Sequence, residues 1–214
     1  MNEIAEKIVA KLSRERNFDV PIKVHFCDDF LTELPKYITN KRRLEAKLNN
    51  PSSKTGQGIY LEFEKNAIHV LVRTNADPSF IIHEVTHAID YHKFISQCCN
   101  GDFDTYDEPN SKHYELANVF GWASEFNASR VMWRACANLD DGLSEVQELF
   151  KWSPQDPRYF YRLIGILGKI CAWEQRAGRN DHPFVEGMEM YAILKRIDFD
   201  NIDAELLRQL AKVI

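Results

Sequence analysis

The alternation of apolar and polar residues divides the first half of the chain into helices and short strands. The opening residues, MNEIAEKIVAKLSRERNF, have the periodicity of an amphipathic helix, and DVPIKVHFC (19–27) alternates as a short strand does. A polar helical segment is expected over 31–48, followed by the loop NNPSSKTGQG (49–58), which is rich in turn-forming residues. GIYLEFE and AIHVLVR are two strand-like runs joined at Lys65 and Asn66, which predicts an antiparallel hairpin.

The rest of the chain is predicted to be helical. Asp77 before Pro78 is typical of a helix N-cap followed by proline at the first helical position, so a helix is expected to begin there. An acidic, turn-rich loop follows over 97–111, and a long, mostly apolar helical pattern extends over 113–139. Further helices are expected beyond Gly142, with breaks near three turn-rich stretches: 153–157, 178–183 and 198–203.

These elements predict an α+β fold with a small antiparallel sheet and a mostly helical C-terminal half. No repeat, low-complexity tract or linker interrupts the sequence. One domain over residues 1–214 is therefore expected, with 142–214 as its helical C-terminal extension. The strand over 68–73 is a candidate to offer its edge to an extended peptide, because it directly precedes the helix that begins at Pro78.

Composition and charge narrow the classes of function. Hydrophobic residues make up 44% of the chain and charged residues 28%, and the net charge of -5 with scattered basic residues disfavours a nucleic-acid partner. The first helix lacks the apolar stretch and cleavage site of a secretory signal. No run approaches the roughly 18 apolar residues of a membrane helix, so no membrane partner is expected. The 5 cysteines lack C-x-x-C spacing and are typical of reduced thiols, which favours the cytoplasm.

The stretch FIIHEVTHAID places His83 and His87 four residues apart on the predicted helix. Residues at this spacing lie on one face, so two imidazoles can converge on one ion at roughly 2.0 to 2.1 Å. On H-E-x-x-H helices the glutamate, here Glu84, acts as general base on a water whose pKa zinc lowers to about 7. A helix that carries these residues without an ion is the alternative, but desolvating them in a core would be costly.

Catalytic zinc usually takes three ligands from the protein, so a third residue is needed. The H-E-x-x-H-x-x-G-x-x-H class is excluded, because this chain has aspartate and lysine where that class requires glycine and the third histidine. The next long helix offers Glu115 and Glu125. Glu125 is preferred because Gly121 and Ala128 lie near it around the helix and would let that helix approach the metal helix closely.

Other polar residues close to the motif are candidates for supporting roles. Asp90 could accept the second N–H of a ligand imidazole, or it could be a surface aspartate. His92, His113, Tyr91 and Tyr114 could polarise a substrate carbonyl, with ordinary structural roles as the alternative. The acidic loop lacks the regular D-x-D-x-D-G spacing of a calcium site.

HEVTH on one helix with SEFNAS on a later one resembles the zinc metallopeptidases whose third ligand is a glutamate. The motifs are similar to those of the ImmA/IrrE family and, more loosely, to those of the mitochondrial inner-membrane processing peptidase family. The ImmA/IrrE pattern differs in having glycine before the second histidine, where this chain has threonine. The resemblance covers roughly residues 58–134 and implies a zincin-like fold. It also implies a set of site residues: His83, His87 and Glu125 as zinc ligands and Glu84 as catalytic base.

The sequence therefore predicts a zinc-dependent metallopeptidase that hydrolyses peptide bonds in a protein or peptide substrate, with Zn²⁺ as its cofactor. Two other classes of function fit the same residues. One is another metal-dependent hydrolase or a non-haem iron oxygenase, because two histidines and a carboxylate also suit Fe(II), although Glu84 has no obvious task in an oxygenase. The other is a non-catalytic regulator or interaction protein, in which the ion only ties two helices together.

Overall fold

A computed structural model describes residues 1–50, 52–64 and 67–214 of the chain. These residues form ten α-helices, three β-strands and two short 3₁₀ helices, Leu34–Lys36 and Pro183–Val185. The strands are β1 (Ile22–Cys27), β2 (Gly58–Glu64) and β3 (Ala67–Arg73). The α-helices are α1 (Asn2–Glu15), α2 (Phe30–Glu33), α3 (Lys41–Asn49), α4 (Ser52–Thr55), α5 (Pro78–Cys98), α6 (Tyr114–Ala135), α7 (Leu143–Leu149), α8 (Pro157–Ala177), α9 (Glu189–Arg196) and α10 (Ala204–Ala211).

Contacts between Cα atoms divide the chain into two compact units, residues 1–92 and 93–214. The first unit contains the sheet, and the second is built from helices. The predicted α+β class is therefore confirmed. The expectation that residues 1–214 form one domain, with 142–214 as its extension, stays a prediction.

The two strands predicted as a hairpin pair with each other. β2 and β3 are antiparallel, with Gly58 opposite Val72, so the predicted pairing is confirmed. Ile59 and Leu61 of β2 are buried, as their alternation indicated. The predicted turn at 65–66 lies outside the described residues.

The sheet is mixed, with strand order β1-β3-β2, because β1 pairs with β3 in parallel. Ile22 lies opposite Ile68 in this pair, so the expectation of an antiparallel sheet is wrong here. A parallel pair needs a long crossover connection, and the chain between β1 and β3 supplies one that includes α2 to α4 and β2. Because β3 is the central strand and both its edges are paired, the hypothesis that the strand over 68–73 binds an extended peptide is also wrong.

The polar segment predicted as helical over 31–48 consists of short helices with separate caps. Asp29 accepts a hydrogen bond from the N–H of Leu31 at the start of α2, and Asn40 accepts one from the N–H of Arg43 at the start of α3. This segment packs on the sheet through a buried apolar cluster, which comprises Phe30, Leu34, Ile38, Ile59, Leu61 and Leu71.

Helices α6 and α8 form the main packing contact of the second unit. α8 is capped at its start by Asp156, which accepts a hydrogen bond from the N–H of Arg158, and at its end by Gly178, whose φ is +65°. A Cβ atom on Gly168 would lie 2.6 Å from the carbonyl oxygen of Phe126, so only glycine allows the two backbones to approach this closely.

Two features of the chain concern its cellular environment: the redox state of its cysteines and the apolar length of its helices. All five cysteines are free thiols. Cys99 and Cys171 are fully buried, and burial raises the pKa of the Cys99 thiol to about 12, so this group has little thiolate character at neutral pH. Throughout the described residues, no helix has both the length and the apolar character that crossing a bilayer requires.

A buried carboxylate joins α8 to α9. Glu174 is 2% exposed and accepts hydrogen bonds from the hydroxyl of Tyr191 at 2.9 Å, from Lys195 Nζ at 2.8 Å and from the N–H of His182 at 3.3 Å. Burial alone would raise the pKa of Glu174, but these hydrogen bonds outweigh it and hold the pKa below its usual value of 4.5. The folded state therefore favours the ionised form of Glu174.

Lys195→Met is expected to lower the unfolding free energy by about 2 kcal/mol near pH 7, since it removes a charged hydrogen bond from a buried carboxylate. A carboxylate whose pKa is lowered in the folded state stabilises the fold. This stabilisation is complete above about pH 4.5 and is lost as the pH falls through the folded-state pKa. The difference between wild type and Lys195→Met should therefore shrink below pH 4.5 in urea unfolding curves. Lys212→Met, at an exposed lysine, is the control. A difference that stays constant from pH 7 to pH 3 would contradict the assignment.

Candidate metal centre

Helix α5 carries the two histidines of the H-E-x-x-H motif. Asp77 accepts a hydrogen bond from the N–H of Ser79 at 2.8 Å and α5 begins at Pro78, so the predicted helix start is confirmed. His83 and His87 lie one turn apart, with 3.1 Å between their Nε2 atoms and an angle of 82° between their rings. Two nitrogens at the zinc distance of about 2.05 Å and at a tetrahedral angle would be about 3.3 Å apart. The two rings therefore fit a shared ion, and without one the same distance suits a hydrogen bond between them.

Aromatic side chains cover the second histidine. His87 is 6% exposed, and the ring of Tyr60 from β2 stacks on it with 5.5 Å between ring centroids. Tyr91, one turn further along α5, stacks on the ring of Tyr60, with 5.0 Å between the two ring centroids. These contacts limit the rotation of the His87 imidazole and keep water from most of its surface.

Glu84 is held by the start of the sheet. Its side chain is buried, with 8% exposed, and it lies against Gly58, the first residue of β2. A Cβ atom on Gly58 would lie 2.4 Å from Cγ of Glu84 and 3.0 Å from Oε1. Any side chain larger than hydrogen at this position would displace the carboxylate. Gly58 was not predicted as a site residue, although a glycine at the end of a turn-rich loop is a visible signal.

Glu125 lies in the middle of α6 and is 5% exposed. Its Oε1 accepts a hydrogen bond from Ser129 Oγ at 3.3 Å, one turn along the same helix. Its Oε2 accepts a hydrogen bond from the hydroxyl of Tyr161 on α8 at 2.5 Å. Tyr161 was not predicted as a site residue, because no local pattern links a tyrosine to a carboxylate 36 positions earlier in the chain. The carboxylate is therefore fixed by contacts within the helical unit.

His83, His87 and Glu125 each offer one ligand atom, and these three atoms lie within 4.8 Å of one another. Two imidazoles and one carboxylate are a donor set that zinc accepts, as do other divalent transition metals. Glu115, the alternative third ligand, is exposed in the first turn of α6 and is not part of this group. The group therefore contains the three residues that the sequence predicted as ligands, and their binding of an ion stays a prediction.

Asp90 is fully buried, so the alternative that it is a surface aspartate is wrong. It accepts a hydrogen bond from Arg16 Nη2 at 3.0 Å, and the Arg16 side chain is 14% exposed. Arg16 directly follows α1, so this ion pair ties the first helix of the chain to α5. Removing one member of a buried ion pair is strongly destabilising.

The four candidates for polarising a substrate carbonyl have different surroundings. His92 packs edge to face against Phe18, with 5.2 Å between ring centroids, and Tyr91 belongs to the aromatic cover of His87. His113 occupies the N-cap position of α6 without a side-chain capping bond, and Tyr114 is the first residue of that helix. Their role in catalysis stays a prediction.

The chain was compared with protein-family models, with curated proteins and with solved structures, and none of them matches it. The resemblance of its two motifs to glutamate-ligand zinc metallopeptidases therefore stays a prediction.

Arg16→Met is expected to lower the unfolding free energy by about 3 kcal/mol, because it removes the charged hydrogen bond that the buried Asp90 carboxylate accepts from Arg16. Lys11→Met is the matched control, since Lys11 belongs to an exposed pair with Glu15 in the preceding turn and should change stability by less than about 1 kcal/mol. Urea denaturation monitored by circular dichroism measures both. Equal effects of the two substitutions would show that the Arg16 pair contributes no more than a surface pair.

Proposed function

We propose that the chain is a zinc-dependent metallopeptidase that hydrolyses peptide bonds in a protein or peptide substrate. The observation that carries this proposal is the grouping of ligand atoms from His83, His87 and Glu125, with Glu84 next to the first of them on α5. The burial of Glu84 and Glu125 supports it, because removing carboxylates from water is costly and a bound cation would offset that cost. The proposal includes a zincin-like fold within a single domain over residues 1–214.

The residues of the centre have separate tasks in this mechanism. The two imidazoles and the Glu125 carboxylate would hold the ion, and a zinc ion bound there would supply Lewis-acid chemistry at a carbonyl and at water. Glu84 takes a proton from the attacking water and later passes it to the leaving amine. Gly58 keeps the Glu84 carboxylate in one place, because the start of β2 lies directly against it. Water attack and amine departure together split the peptide bond into a carboxylate and an amine.

The cytoplasm is the proposed location. All five cysteines are free thiols, which is usual for proteins in reducing compartments. The net charge of -5, with scattered basic residues, disfavours nucleic acid, so the proposed partner is a protein or peptide substrate.

Glu84→Gln tests the catalytic part of the proposal. The amide cannot accept a proton as the carboxylate does, so cleavage should fall by about 10² to 10⁴-fold. Zinc content should stay unchanged, because Glu84 is not one of the ligands. The measurement is incubation of each purified variant with a cell lysate, followed by identification of new protein termini and elemental analysis. If both variants release the same termini, Glu84 is not the base, and if neither releases any, the non-catalytic regulator becomes the better explanation.

Glu125→Gln tests the metal-binding part, with Glu115→Gln on the same helix as its matched control. Loss of the anionic ligand should weaken zinc binding by at least about tenfold, since an amide oxygen is a poorer donor for zinc than a carboxylate. Glu115→Gln should bind zinc as wild type does. Competition with a chromophoric chelator measures the dissociation constants. An equal loss in both variants, or a loss in Glu115→Gln alone, would contradict the ligand assignment.

A further inference from the structure

Tyr161 and Ser129 both donate hydrogen bonds to the Glu125 carboxylate, and the bond from Tyr161 is the shorter one. The 2.5 Å distance between its hydroxyl oxygen and Oε2 is within the range of about 2.5 to 2.7 Å for a hydroxyl that donates to a carboxylate. The bond from Ser129 to Oε1 is longer, at 3.3 Å. Of the two donors Tyr161 and Ser129, Tyr161 therefore makes the stronger hydrogen bond to Glu125.

The burial of the two partners differs. The Tyr161 side chain is 50% exposed, whereas Glu125 is 5% exposed. The tyrosine ring packs edge to face against Trp122, with 5.9 Å between ring centroids. A half-exposed phenol can donate its hydrogen bond to water as well as to a protein group. The bond therefore benefits the buried carboxylate more than it benefits the tyrosine.

The packing of α8 on α6 fixes where the Tyr161 hydroxyl lies. Tyr161, Gly165 and Gly168 are spaced by four and three residues, so they share one face of α8. A Cβ atom on Gly165 would lie 3.6 Å from Ser129 Oγ and 3.9 Å from Glu125 Oε1. The two glycines thus bring α8 against the turn of α6 that carries Glu125, and Tyr161 reaches the same carboxylate from the preceding turn of α8.

We propose that Tyr161 is a positioning residue for the metal ligand Glu125, an inference that rests on the proposed zinc centre. Hydrogen bonds from two different helices, one to each oxygen, restrict rotation of the carboxylate about its terminal bond. Each oxygen has more than one lone pair, so a hydrogen bond leaves capacity for a cation. A ligand oriented in this way loses less freedom when the ion binds, and hydrogen bonds to metal ligands commonly change affinity in this manner.

Tyr161→Phe removes the hydroxyl and keeps the ring that packs on Trp122. The zinc dissociation constant is expected to rise by about 10-fold to 100-fold, the usual effect of losing a partner of a metal ligand. Ser129→Ala should raise it less, because the bond it removes is longer. Tyr159→Phe is the matched control, since it makes the same change two residues away and therefore on another face of α8. Chelator competition on the full chain gives the dissociation constants, and circular dichroism verifies that each variant is folded.

Cobalt substitution adds a measurement, the visible spectrum of bound Co²⁺, that would not change if Tyr161 had only a structural role. The visible absorption of bound Co²⁺ reports the geometry of its ligands, so Tyr161→Phe should change the spectrum and Tyr159→Phe should leave it as in wild type. If wild type binds zinc and cobalt and Tyr161→Phe matches it in affinity and spectrum, the positioning role is overturned while the zinc centre stands. If wild type binds no zinc, or if His83→Gln binds it equally well, the zinc centre and the role of Tyr161 are both overturned.

Discussion

Glu125 carries a carboxylate that is almost completely removed from water, and such a group needs hydrogen bonds or a cation to replace its lost hydration. Ser129 on the same helix and Tyr161 on α8 supply the hydrogen bonds. Ser129 is within reach through the turn of α6 itself, whereas Tyr161 stays within reach because α8 packs closely on α6, and Gly168 permits that approach. The proposed centre depends on this packing, since it holds the third ligand in a defined orientation before any ion binds.

The histidine part of the centre depends on much more local physics. Asp77 and Pro78 start α5, and the helical repeat then brings His83 and His87 to one face, whatever the rest of the chain does. Tertiary contacts refine this arrangement by covering His87 with the ring of Tyr60. One part of the centre is therefore encoded within a single helix, whereas the glutamate part requires two helices that pack together.

Glu84 illustrates how the sheet and the chemistry are connected. The first residue of β2, Gly58, lies against the Glu84 side chain and limits where the carboxylate can be. β2 is an edge strand of a mixed sheet, and β3 lies in its centre. Alternating hydrophobic residues identify strands but carry no information on their order or direction, because the side-chain period of two is the same in parallel and antiparallel pairs. The alternation of residues therefore could not predict that β1 and β3 pair in parallel.

The sequence by itself determined the α+β class, the pairing of β2 with β3, the start of α5 and the convergence of the two histidines, since each depends on neighbours within a few residues. Tertiary structure alone decided the strand order, the burial of Asp90 against Arg16, and the contacts of Gly58 with Glu84 and of Tyr161 with Glu125. These features join residues far apart in the chain. Their formation depends on which helices and strands pack together, and that choice is made by the complementary shapes of whole buried surfaces, which no local spacing records.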